Sequence, residues 1–183
     1  MTIENPYKFT DLGLGVYLIE TRAFEDHRGY FMEGYNKEEF AKNGITADFN
    51  QYNVSLSKKG TMRGLHYQTE PYGQAKMFRC VQGEIFDACV DVRKSSPTFG
   101  QSVSATYSAK DKKMMFVPKG FANSIFAVSD EDAVVVYMVE GYHVPEAETG
   151  LRWNDPALKI NWPMEPTLLS KKDQNWPLLN DIK

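Results

Sequence analysis

Cysteine and histidine are scarce in this chain, and each scarcity closes off a class of chemistry. The two cysteines, Cys80 and Cys89, lie inside apolar stretches and form no Cys-x-x-Cys pair, which argues against a disulfide framework or a structural zinc site. Buried packing thiols are the expectation. The three histidines, His27, His66 and His143, are far apart and make no His-x-His, so the closely spaced ligands with which a barrel holds a metal are missing and no metal is expected. Positive charge is also short. With a formal net charge of -3 and no long run of Lys and Arg, the chain lacks the basic footprint that nucleic acid requires, although a small anionic ligand stays open. No apolar run approaches the roughly twenty residues needed to cross a bilayer, and the start, Met1 to Pro6, lacks the charged-then-apolar layout of a signal peptide. No membrane partner and a cytoplasmic location are expected. Finally, there is no Gly-rich phosphate loop and no Gly-x-Ser-x-Gly, so nucleotide hydrolysis and serine-esterase chemistry have no foothold.

What is present suits one folded domain over residues 1–183, since 42% apolar and 13% aromatic residues can fill a sizeable core. Residues 15–20 read as a strand, followed by a charged turn, Glu25-Asp26-His27-Arg28-Gly29, and a short aromatic segment, Tyr30-Phe31-Met32-Glu33. One helix is clear: Asn36 caps it, Glu39 completes a capping box and Asn43-Gly44 stops it. From residue 47 the pattern is strand and turn about every ten residues, with strands at 49–57, 62–68, 75–81, 84–92, 101–108, 114–117, 121–128 and 133–139. That is the signature of a sandwich or small barrel, with no internal repeat. After Tyr142, Pro145, Pro156, Pro163 and Pro166 with Trp153, Trp162 and Trp176 mark a tail whose aromatics pin it to the barrel. Asp87 and Asp91, inside an apolar strand, need hydrogen-bond partners if buried.

The candidate chemistry centres on Arg63-Gly64-Leu65-His66-Tyr67-Gln68, with Lys76 ten residues after the histidine. A lone strand histidine is more often structural than catalytic, but two cations near it suit a developing negative charge. Strict alternation puts Arg63 and His66 on opposite faces of an ideal strand, so a shared cavity demands a bulge, and Gly64 is where one fits. Ideal pleating through 62–68 would remove the shared cavity. Read singly, Asp173 is a solvated charge in a lysine-rich tail, Tyr137 is as readily a core tyrosine, and Arg28 and Glu33 could be a surface ion pair.

A resemblance changes that reading. The blocks Asp26 to Glu33, Gln51-Tyr52-Asn53, Arg63 to Gln68, Gln74-Ala75-Lys76, Gly83 to Asp87, Asp91 to Gly100, Val117 to Ala122, Trp153 to Pro156 and Leu169 to Asp173 resemble, in this order, the dTDP-4-dehydrorhamnose 3,5-epimerase family of RmlC-like cupins. The resemblance implies an all-β, cupin-type jelly-roll β-barrel with a few short helices and a C-terminal tail packed on it, and a homodimer formed by exchange of N-terminal strands. It implies a cofactor-free epimerase acting at C3 and C5 of a dTDP-linked 4-keto sugar. His66 resembles the base, Asp173 the carboxylate that orients it, Tyr137 the acid on the opposite face, and Arg63 and Lys76 the cations at the C4 oxygen. Gln51, Asn53, Arg28 and Glu33 resemble residues that hold the nucleotide and diphosphate, with Arg28 and Glu33 reaching across the dimer, and Phe31 the ring that stacks on thymine.

The chain departs from the family pattern on the expected cavity wall. Asn123 stands where relatives carry a histidine after Gly-Phe-Ala, and Tyr142-His143 where they often carry two tyrosines. Asn123 can donate to a sugar or phosphate oxygen but cannot carry charge there. Alternatives that stay open are a 3-only or 5-only epimerase, an epimerase of another 4-keto nucleotide sugar, and a non-catalytic nucleotide-sugar-binding cupin.

Overall fold

The alternation of apolar residues along the strands determines how this chain layers. In the computed structural model, which describes residues 6–182, six strands form one antiparallel sheet: β1 (Tyr7–Gly13), β2 (Val16–Thr21), β5 (Phe49–Ser57), β7 (Lys76–Gln82), β10 (Lys113–Val117) and β12 (Ala133–Glu140), in the order β1-β2-β10-β7-β12-β5. Five more, β6 (Met62–Gln68), β8 (Glu84–Asp91), β9 (Ser102–Ser108), β11 (Phe121–Ala127) and β13 (Glu148–Gly150), form a second antiparallel sheet in the order β13-β6-β11-β8-β9. A hairpin of β3 (Phe24–Asp26) and β4 (Gly29–Phe31) stands apart from both. The two large sheets face each other as a jelly roll, in agreement with the sequence expectation.

Along β7, Phe78 and Cys80 point into the space between the sheets, where they meet Val135, Ile85, Cys89, Tyr107 and Ile125; Met77 points out, where it meets Tyr7, Ile19, Met114 and Phe116. Phe40 of helix α1 (Lys37–Lys42) covers that outer face, its ring edge-on to Tyr7 at 4.9 Å. The other sheet is covered by the tail: Trp162 packs on Phe86 and Phe126, while Leu151, Leu158 and Leu179 pack on Val90 and Ala122. This double cover is why all seven residues of β11 are buried. Both cysteines are buried and free. No helix among the described residues is long and apolar enough to cross a membrane.

Two local expectations meet different outcomes. Asn36 caps α1, its side chain accepting from the amides of Glu38 and Glu39, but the Glu39 carboxylate does not close a capping box. Lys42 takes it instead, at 2.6 Å one turn further on. The irregularity at Gly64, by contrast, is present. Asn123 stands opposite His66 and Ile125 opposite Arg63, so three steps along β6 match two along β11. The extra residue is absorbed where Gly64 takes φ +120°, a conformation open to glycine. A Cβ there would meet the Asn123 carbonyl oxygen at 2.5 Å and Ser124 Cα at 2.7 Å, both backbone atoms. Gly64→Ala is therefore expected to lower unfolding stability by about 2–3 kcal/mol, measured by denaturant titration, and to impair the site below.

Candidate active site

The bulge at Gly64 lets β6 present both Arg63 and His66 to one cavity. It has a volume of about 310 Å³ and is also lined by Lys76, Tyr137, Asn123 and Asp173. A second cavity of about 560 Å³ shares His66, Lys76, Tyr137 and Glu148 with the first and extends along Gln51, Asn53, Gln74 and His143. Together they form a two-part cleft between the sheets, with His66 at the junction. Gln51 donates to Asn53 Oδ1 at 3.0 Å, which fixes both amides on the wall of the larger part.

His66 is held by a partner more than a hundred residues away. Its Nε2 is bonded to Oδ1 of Asp173, on the one-turn helix α2 (Lys171–Gln174). Asp173 is buried, which alone would raise its pKa, but bonds from His66, Ser170 Oγ (2.8 Å) and Trp176 Nε1 (3.2 Å) outweigh that and hold it below the ordinary carboxylate value. An ionised carboxylate only accepts, so Nε2 of His66 carries the proton and donates it to the bond. Nδ1 is left with a free lone pair. In that tautomer Nδ1 can accept a proton, and the carboxylate behind the ring can stabilise the imidazolium that would form.

Lys76 donates to Asn123 Oδ1 at 3.1 Å, and burial pulls its pKa down to about 8, while Asp87 and Glu148 act in the opposite direction. Arg63 sits at the rim, where Nε donates to Ser57 Oγ at 2.9 Å and a terminal nitrogen to the Leu56 carbonyl at 3.0 Å. Tyr137 lies on β12, in the sheet facing His66, its ring against Phe78 at 5.3 Å.

Four expected site residues lie elsewhere in the chain. Arg28 and Phe31 line a separate depression on the β3–β4 hairpin, where Arg28 is paired with Asp26 at 2.7 Å and Phe31 is 66% exposed. Glu33 accepts from the Tyr7 hydroxyl at 3.0 Å rather than pairing with Arg28. Tyr142 is exposed, and its neighbour His143 lines the larger cavity in its place.

The family model described as dTDP-4-dehydrorhamnose 3,5-epimerase matches residues 13–181. The chain belongs to the dTDP-4-dehydrorhamnose 3,5-epimerase family. It is similar to the Shigella flexneri dTDP-4-dehydrorhamnose 3,5-epimerase, 46% identical over 161 residues that cover 87% of this chain and 88% of that one. Among solved structures, the dTDP-6-deoxy-D-glucose-3,5-epimerase RmlC from Legionella pneumophila, in complex with dTDP-4-keto-L-rhamnose, aligns with a TM-score of 0.91 at 38% identity, covering 97% of this chain and 95% of that one. A dTDP-4-dehydrorhamnose 3-epimerase from Streptomyces niveus is 35% identical, covering 92% and 82%. Membership in this epimerase family makes the protein an isomerase.

Within this family framework, the site has members that residue-type reasoning missed. Ser170 and Trp176 hold Asp173, and the pattern Ser-x-x-Asp at 170–173 carried a signal: Ser170 caps α2, accepting from the Asp173 amide at 3.0 Å. Glu148 had no signal at all. Its side chain reaches the cleft only because β13 pairs with β6, placing Glu148 opposite Gln68. There Lys172 donates to Oε2 at 2.6 Å, with His143 Nε2 at 3.7 Å.

Proposed function

We propose that this protein inverts C3 and C5 of a dTDP-linked 4-keto-6-deoxy sugar, converting dTDP-4-dehydro-6-deoxy-D-glucose into dTDP-4-dehydro-L-rhamnose. The observation that carries the reading is that base and acid stand on opposite sheets across one cleft: His66 backed by Asp173 on one side, Tyr137 on the other. Inversion needs a proton to leave from one face of a carbon and another to arrive on the opposite face. The 4-keto group acidifies the hydrogens on both neighbouring carbons, so one base can serve each in turn. The enolate formed carries its charge on the C4 oxygen, where Lys76 and Arg63 supply preorganised positive charge worth about 10²- to 10³-fold. The keto group itself holds the electrons, so this chemistry calls for no cofactor.

In this reading the chain works as one cupin domain in the cytoplasm, as a homodimer that exchanges N-terminal strands. Arg28, Phe31 and Glu33 complete the nucleotide site from the second copy. Support comes from the hairpin, whose Phe31 stands in solvent away from its own cleft, and from β5, which among the described residues is a sheet edge, with Tyr52, Val54 and Leu56 exposed at 64%, 64% and 55%. Gln51, Asn53 and Asn123 supply neutral donors and acceptors along the cleft.

The test is incubation with dTDP-4-dehydro-6-deoxy-D-glucose in D₂O, with deuterium followed by NMR. Uptake at both C3 and C5 is expected. Uptake at C3 alone would select the second reading, a 3-epimerase, which the Streptomyces niveus relative favours. Uptake at neither carbon would overturn both.

A further inference from the structure

The core between the sheets holds a buried carboxyl that the chemistry above does not use. Asp87, on β8, is fully buried and points into the space between the sheets, two residues along from Cys89, which stands opposite Asn123. Its neighbour Asp91 shows how this fold normally satisfies such a group: Arg93, Ser96 and Thr98 all donate to its two oxygens. Asp87 has one donor, the Tyr107 hydroxyl, 3.2 Å from Oδ2. Among the described residues no donor reaches Oδ1. An orphaned carboxyl oxygen in a sealed core is costly unless a charge nearby compensates, and the cation that acts on Asp87 is Lys76. Lys76 itself is tied to Asn123 rather than to Asp87.

We propose that Asp87 is a positioning residue whose carboxylate, buried between the sheets, keeps Lys76 cationic at the C4 oxygen while the Lys76 ammonium stays aimed at the cleft through Asn123. The functional part rests on the epimerase reading of Lys76; the effect on Lys76 itself does not.

The surroundings isolate this pair. Beside the carboxyl, burial pushes up Cys80, Cys89 and the Tyr107 hydroxyl, the last two also raised by Asp87 itself, so all three stay neutral through mildly alkaline pH. Around the ammonium, Arg63 and Lys172 also line the cleft, and Glu148 and Asp173 are held ionised by the bonds each accepts. His66, Tyr137 and His143 also line the cleft and are common to wild type and variants alike. Burial pushes Asp87 up and pulls Lys76 down, and each group's charge opposes the shift of the other, so the two titrate as a coupled pair.

The sign follows. As pH rises, Asp87 gives up its proton and leaves a negative charge that holds the Lys76 proton to higher pH. In Asp87→Asn that charge never forms, and the buried ammonium loses its proton earlier. The alkaline limb of kcat/KM is therefore expected to move down by about one pH unit, so that the ratio of variant to wild-type activity falls roughly sixfold between pH 6.5 and 8.5. A purely structural role would lower activity by the same factor at every pH. Lys76 is also read without substrate, by NMR titration of its side-chain nitrogen, assigned by its loss in Lys76→Met, and its midpoint is expected to fall in Asp87→Asn. Should that variant fail to fold, Tyr107→Phe serves: without the hydroxyl's bond the ionised carboxyl is less favoured, and the Lys76 midpoint falls by a smaller amount. An unmoved Lys76 midpoint overturns the proposal. A shifted midpoint in a protein without C3 or C5 exchange supports the Asp87–Lys76 coupling and sinks the epimerase reading instead.

Discussion

Replacing His66 with alanine is expected to slow deuterium uptake at both C3 and C5 by about 10³-fold or more, with the fold retained. Both carbons should be affected because His66 is the base proposed for each in turn, while Asp173 and Glu148, held ionised by the bonds they accept, are weak bases. The fold should survive because the imidazole belongs to none of the four hydrophobic clusters, and its neighbours are Asp173 and the edge of Trp176 at 5.9 Å. Asp173 keeps its bonds from Ser170 and Trp176 when the ring is gone. Uptake is read by NMR and folding by the thermal transition. Persistent exchange at both carbons in a folded variant would remove His66 from the chemistry, and loss at one carbon alone would mean that each carbon has its own base.

The two-sheet core was legible in the sequence for a physical reason. Between residues 49 and 140, β-branched and aromatic runs are cut again and again by Gly, Pro, Asp and Lys, and every run expected there is a strand. What escaped is what carries little pattern. β1 bears Lys8, Thr10 and Asp11 at the edge of a sheet, where only Tyr7 is fully buried, and β3, β4 and β13 are three residues each, too short for a period to show. The site divides along the same line. Arg63, His66 and Lys76 were legible because they are close in sequence, and the conflict between their spacing and strand alternation is what exposed Gly64 as a bulge. Asp173 and Tyr137 were read from resemblance alone, because only the fold brings them to His66, and Glu148 depended on a strand pairing that no local pattern announces. Glu39 matched a capping box in pattern, and Lys42 nonetheless took its carboxylate.

Tyr137→Phe separates proton removal from inversion. The variant keeps the ring against Phe78 and loses only the hydroxyl, so the cavity walls are unchanged. His66 and Asp173 can still remove the proton, and Lys76 and Arg63 still meet the enolate. The enolate then has no acid on the far face and can recover a proton only from the side it left. Once the His66 imidazolium has exchanged with solvent, that proton is a deuteron. Deuterium uptake with retained configuration is therefore expected to persist, while inversion at C5 and C3 falls by about 10²- to 10⁴-fold. The two are read from one sample, uptake from the loss of the C–H signals and inversion from the ring coupling constants. A parallel fall in both would mean that Tyr137 helps to form the enolate rather than quench it. Undiminished inversion would place the acid elsewhere on the six-stranded sheet, and the opposition of His66 and Tyr137 across the cleft would lose its meaning for the reaction.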